Sequence, residues 1–152
     1  IAAWAKDNGR TLYDLLMDIY VDYGFSREFT VNVVKPGKSG ADEIKQMMAD
    51  FRANPPKELG GSEITLWKDY QSLEATDENG NVTKIDMPTT SNVLQWFCND
   101  GTKVSVRPSG TEPKIKFYIE VKDNTMKCAG CYERCCKAAE EKIEAIKKSL
   151  SL

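Results

Sequence analysis

The chain has 152 residues, with 21 Lys and Arg against 23 Asp and Glu for a net charge of −2, and 41% of it is hydrophobic. That length suits one domain, or one domain with an appended element, and lets a substantial core form. The slightly acidic balance offers no basic stripe of the kind nucleic acids select, and no apolar run approaches the roughly 20 residues needed to cross a bilayer, so neither nucleic acid nor membrane is an expected partner. No basic segment followed by an apolar one opens the chain, and a cytoplasmic setting is expected.

Ile1 stands where a starting Met is usual, and Ala2, Ala3 and Trp4 read as helix interior, so the chain is expected to be a piece of a longer polypeptide. Leu12, Leu15, Leu16, Ile19 and Tyr20 recur at three- and four-residue steps, which predicts an amphipathic helix capped by Thr11 and stopped at Gly24. Phe29 to Val34 alternates weakly and predicts a strand ended by Lys35-Pro36-Gly37. A second helix follows, capped by Ser39 or Asp42. Ile44, Met47, Met48 and Phe51 form its apolar stripe until Asn54-Pro55-Pro56 breaks it. That proline pair, with Gly60-Gly61 behind it, is the predicted linker, and Asn54 to Gly61 the predicted hinge.

From Ile64 the period changes from helical to alternating. Ile64 and Leu66 belong to one strand that is expected to reach Tyr70, and Asp77-Glu78-Asn79-Gly80-Asn81 reads as a turn. Val93 to Cys98 and Thr102 to Arg107 are joined by Asn99-Asp100-Gly101, a hairpin signal. Ile115 to Val121 makes the next strand. A final helix carries Tyr132, Cys135, Cys136, Ala139, Ile143, Ile146 and Leu150 on one stripe. Segregated helices with a mostly antiparallel sheet predict the α+β class.

The run Val106-Arg107-Pro108-Ser109-Gly110-Thr111-Glu112-Pro113-Lys114-Ile115-Lys116 concentrates phosphate-binding chemistry in one turn between two strands. Arg107 offers a planar fork of donors, Ser109 and Thr111 offer hydroxyls, and Gly110 lets backbone N–H groups approach an anion. Alternation places Val104 and Val106 on one face and Ser105 and Arg107 on the other. After the turn Ile115, Phe117, Ile119 and Val121 share the apolar face, leaving Lys116 on the same polar side as Arg107. Pro108 and Pro113 remove two backbone donors, so the free N–H groups are expected to gather at Ser109 to Glu112 as an anion nest. The bland reading is a solvated Pro- and Ser-rich turn.

This segment closely resembles the phosphate-binding loop in the last domain of the α-D-phosphohexomutases, the phosphoglucomutase and phosphomannomutase family, with its Arg-x-Ser-Gly-Thr pattern and a basic residue on the next strand. The resemblance extends over nearly the whole chain. It implies a small curved antiparallel sheet packed on helices, with residues 1–58 as a helical lead-in from a preceding domain and 59–152 as the phosphate-binding domain. It implies that Arg107, Ser109, Gly110, Thr111 and Lys116, with Lys114 as a weaker candidate, grip the non-reacting phosphate of a hexose phosphate or bisphosphate during 1,6 phosphoryl transfer. The phosphoserine and a Mg2+ ion would belong to other domains of the same polypeptide, so this piece is expected to bind no cofactor and to be inert alone.

Two other readings use different features. One is a free-standing phosphosugar-binding module. The other is a zinc interaction domain built on Cys98, Cys128, Cys131, Cys135 and Cys136. Against it, Cys128, Cys131 and Cys135 recur at helical spacing beside the last helix, which also suits core packing, and no histidine is available.

Overall fold

The computed structural model describes the backbone of residues 1–152 and every side chain except that of Lys38. Two helices open the chain, α1 (Ala2–Asp7) and α2 (Leu12–Tyr23). Thr11 caps α2 through a reciprocal box: its hydroxyl accepts from the Asp14 N–H at 3.1 Å, and the Asp14 carboxylate accepts from the Thr11 N–H at 2.8 Å. Gly24 ends the helix, as its sequence position predicts.

The strands are β1 (Phe25–Val34), β2 (Glu58–Leu59), β3 (Ser62–Asp69), β4 (Glu74–Asp77), β5 (Val82–Lys84), β6 (Leu94–Cys98), β7 (Lys103–Pro108) and β8 (Lys114–Asp123). Seven run side by side in the order β1-β8-β7-β6-β3-β4-β5, and the short β2 pairs with the start of β3. Every described pairing is antiparallel. With α3 (Lys38–Ala53) and α4 (Tyr132–Ser149), the fold is α+β.

The alternation read in β6, β7 and β8 builds the core. Leu94, Trp96, Val104, Val106, Ile115, Phe117 and Ile119 are all buried on one face. Ile44 and Met48 of α3 and Cys135, Ala139, Ile143 and Ile146 of α4 meet them. Phe51 of α3 packs edge-on against Trp96, ring centres 5.2 Å apart, and against Phe117 at 6.1 Å. Burial of large side chains such as these contributes about 1.5–3 kcal/mol each.

Two local expectations are corrected. The first strand is ten residues long rather than six, since Phe25 to Glu28 also pair with β8. The helix after it is capped by neither Ser39 nor Asp42: Gly37 takes the N-cap position without a side-chain bond. Ser39 and Asp42 fall inside the helix, at its second and fifth residues, past the position from which a side chain caps. Gly40, in the first turn, lies so near the turn before it that a Cβ there would run into the Lys35 carbonyl, and the helix starts close against the strand end.

Asn54 to Gly61, the expected hinge, makes several contacts from Lys57 onward. Leu59 is wholly buried, the Lys142 ammonium donates to the Gly60 carbonyl at 3.0 Å, and the Lys57 carbonyl accepts from the Ile64 N–H at 2.9 Å. Gly60 is thus tied to α4 and Lys57 to β3. The sheet also takes strands from both sides of position 58, with β1 pairing along the full length of β8.

Candidate functional site

β7 and β8 place the loop. Their register sets Arg107 opposite Lys116 and Pro108 opposite Ile115, and β1 adds Asn32 opposite Lys116 on the other side. Ile115 points into the core, so Lys116 points to the open face. By the same alternation Arg107 and Asn32 share that face, in one row across three adjacent strands. Arg107 is exposed and Lys116 half-buried. Neither makes an ion pair among the described residues.

The loop itself is closed by its own backbone. The Ser109 N–H donates to the Lys114 carbonyl at 2.8 Å, and the Lys114 N–H to the Glu112 carbonyl at 2.7 Å. The Ser109 hydroxyl oxygen accepts from the N–H groups of Thr111 at 3.4 Å and Glu112 at 3.3 Å. The nest of free amides expected at Ser109 to Glu112 is therefore largely satisfied internally, because the serine side chain reaches its own turn before any ligand does. At Gly110 an added Cβ would meet open space, so the glycine leaves the backbone bare.

Charge in the loop is mixed. Lys114 pairs with the Glu112 carboxylate, and that hydrogen-bonded ammonium, helped by Lys116, holds Glu112 below the usual carboxylate range. Three cations and one anion thus stand within ten residues of chain, from Arg107 to Lys116.

On its other side the loop borders a cavity of about 430 Å³. Pro108 to Pro113 form one wall, Gly37, Ala41, Ile44, Lys45 and Met48 the opposite one, and Asn92 the end. The wall is held in place: the Lys35 N–H donates to the Pro113 carbonyl at 2.9 Å, tying the start of α3 to the loop. Arg52 donates to the Asn92 side-chain oxygen at 2.6 Å and pairs with Asp69 at 2.9 Å. The fold therefore joins Arg107 with Lys116 on the open face, and Ser109, Gly110 and Thr111 at the cavity rim, with the loop as their common border. Arg107 and Lys116 do not line the cavity.

Sequence reasoning missed Asn32, Lys45 and Asn92. Asn32 carried a faint signal as the polar residue between Val31 and Val33, both of which pack on the core. The others come from long-range packing that no local pattern marks.

The remaining candidates resolve simply. Asp77 accepts from the N–H groups of Asn79 and Asn81, each at 2.9 Å, so the acidic stretch is a hairpin turn. Cys98 and Cys135 are buried in the core, whereas Cys128 is exposed, so the five thiols do not converge on a point. Among the described residues no group of three or more potential ligands is arranged to hold a metal ion, and no helix is long and apolar enough to cross a membrane.

A profile of the family described as phosphoglucomutase/phosphomannomutase, C-terminal domain, matches residues 31–129. The phosphoglucomutase of Staphylococcus aureus (strain MRSA252) is 36% identical over 122 residues, covering 80% of this chain and 22% of that protein. That of Staphylococcus haemolyticus (strain JCSC1435) is 31% identical over 116 residues, covering 76% and 21%. Among solved structures, the open form of pp63/parafusin, a phosphoglucomutase from Paramecium, aligns with a TM-score of 0.46 and 14% identity over 91% of this chain and 23% of that one. The chain spans about a fifth of the length of the curated relatives it matches.

Proposed function

The chain belongs to the phosphoglucomutase/phosphomannomutase family, to whose C-terminal domain it corresponds, and from this premise we propose that it is the phosphate-gripping part of a larger phosphohexomutase. Arg107, Lys116, Ser109, Thr111 and the bare backbone at Gly110 hold the phosphate that is not reacting while the other end of the hexose exchanges a phosphoryl group between positions 1 and 6. In this reading the domain body runs from β1 onward, and α1 and α2 are the lead-in.

The observation that carries the reading is the register pairing of Arg107 with Lys116 at the mouth of a Ser-Gly-Thr turn. Two cations on one sheet face, neither in an ion pair among the described residues, offer an anion a shared site. A guanidinium fork binds two phosphate oxygens at once, and an ammonium follows the phosphate as a point charge. Each charged hydrogen bond is worth about 1.5–3 kcal/mol. Binding energy collected at this remote phosphate is available to lower the barrier at the reacting end.

The reaction itself belongs to the rest of the polypeptide. Mg2+ is expected there, and this chain contributes binding and orientation. The loop offers Ser109 no histidine base, and its hydroxyl is already engaged with Thr111 and Glu112.

The test is kinetic. In the full-length enzyme Arg107→Ala lowers kcat/KM for the hexose phosphate about 10- to 100-fold, from the loss of one or two charged bonds, while the fold is retained. The 152-residue chain alone gives no turnover. Unchanged kinetics in the variant, or mutase activity in the isolated chain, contradicts the proposal.

A further inference from the structure

Four of the five cysteines fall between positions 128 and 136, and the fold sorts them into two kinds. Cys135, on the core side of α4, is buried, and that burial together with the neighbouring Asp123 carboxylate pushes its thiol up. Cys98 on β6 is pushed up to about 11 by burial and by Asp100. Cys136 is half-buried against the core. All three pack against the core, and burial makes Cys98 and Cys135 poor nucleophiles.

Cys128 and Cys131 differ. They sit on the turn that leaves β8, where Ala129–Cys131 forms one turn of 3-10 helix and Cys131 becomes the N-cap of the 18-residue α4. The Cys131 N–H donates to the Cys128 carbonyl at 3.0 Å, which folds the backbone back on itself and brings the two sulfurs to 3.0 Å. That is within about 1 Å of bonding distance, so the two sulfurs are already placed for a bridge. Cys128 is exposed and Cys131 half-buried. The hydrogen bond from Cys128, then a backbone bond at Lys127, with Arg134 adding to both, holds the Cys131 thiol below its ordinary value. The first N–H groups of α4 favour negative charge at the same place.

We propose that Cys128 and Cys131 form a thiol–disulfide exchange site that accepts low-molecular-weight disulfides. The Cys131 sulfur, as thiolate, attacks one sulfur of R–S–S–R. The small molecule's S–S bond breaks, and one RS− leaves with the bonding pair and takes up the proton Cys131 gave up. The Cys128 sulfur, losing its own proton, then attacks the Cys131 sulfur of the mixed disulfide and expels the second RS−, which takes that proton. Two protein thiols become one disulfide, one small disulfide becomes two thiols, and two electrons pass from protein to small molecule.

The site is independent of the phosphate reading. The phosphate loop opens β8 and the cysteine turn follows its other end, and ten residues of strand separate them by about 30 Å.

Reduced 152-residue chain is incubated with excess oxidised glutathione at neutral pH, and products are read by intact mass and peptide mapping. The expected product has lost two hydrogens, carries a Cys128–Cys131 bridge, and reverts with dithiothreitol. Cys128→Ser, which lacks the resolving sulfur, stops at a single glutathione adduct on Cys131. Cys131→Ser forms its adduct about tenfold more slowly, because the activated sulfur is gone. Cys135→Ser reacts as the parent chain does. No bridge in the parent chain, a bridge mapping to Cys135 or Cys136, or equal adduct rates in the two turn variants overturns the proposal.

Discussion

Arg107 and Lys116 face the same side of the sheet as register partners, yet the loop they frame also carries a negative charge. The Lys114 ammonium holds Glu112 below the usual carboxylate range, so the carboxylate is charged at neutral pH and repels a phosphate there. Removing that charge while keeping the shape frees Lys114 to act as a third cation. Glu112→Gln is therefore expected to tighten binding of hexose phosphate about two- to fivefold at low ionic strength, with the gain shrinking as salt is added. Isothermal titration of the variant at two salt concentrations checks this, and weaker binding would mean that Glu112 shapes the loop rather than opposing the ligand. The residue types in this loop were legible from sequence because alternation alone fixes which face Arg107 and Lys116 share. The fate of the amides was not. Whether the Ser109 hydroxyl turns toward a ligand or toward its own N–H groups depends on loop torsions that the sequence pattern leaves open.

The elements around the loop are held by two contacts far from it in sequence, and each gives a measurable consequence. Asp100, in the β6–β7 turn, pairs with Lys142 of α4 at 3.1 Å and accepts from the Ser62 hydroxyl at 2.6 Å and the Thr102 N–H at 2.9 Å. Burial raises its pKa, but these hydrogen bonds outweigh burial and bring it from 3.8 to about 2. A carboxyl that is more acidic folded than unfolded stabilises the fold fully above its unfolded value and loses that contribution as pH falls toward its folded one. Part of the stability of the parent chain is thus expected to disappear between pH 3.8 and about 2. Urea unfolding across that window tests it. Asp100→Asn is expected to be less stable at pH 7 by about 1 kcal/mol, the half-exposed pair being screened by solvent, and to flatten the acid slope. A variant with the parent's pH profile would contradict the assignment. The second contact is at Gly60, whose φ of 55° suits a residue without a side chain and whose Cβ would stand 2.9 Å from Ile146 Cγ1 and 3.1 Å from the Ile146 backbone nitrogen. Gly60→Ala is expected to cost about 1–3 kcal/mol in the same assay, and a neutral result would mean α4 is free to shift. Helices α2 and α4 and the β6–β7 hairpin were legible because their signals are local: a Thr-x-x-Asp cap, a 3-4 apolar stripe, a turn glycine. The place of β1 at the edge beside β8, and the packing of Leu59 and Gly60 beneath α4, were not legible. Two prolines and two glycines mark a bend in the chain and give no sign of the buried Leu59 or of the reach of Lys142.

At the scale of the molecule, one antiparallel sheet carries the loop at one end of β8 and the cysteine turn at the other, with α3 closing a cavity against the loop and α4 closing the core. The chain accounts for about a fifth of the length of its phosphoglucomutase relatives. A part of that size that grips only the remote phosphate has a simple requirement: it must distinguish a phosphorylated sugar from a bare one without help from the reacting centre. The most direct measurement is a titration of the 152-residue chain, followed by amide chemical shifts, with glucose 6-phosphate and with glucose. The account predicts that the phosphorylated sugar binds at least about tenfold more tightly, the worth of one charged hydrogen bond, with shifts concentrated at residues 107 to 116 and abolished by Arg107→Ala. Equal binding of the two sugars, or shifts that leave residues 107 to 116 untouched, would contradict it.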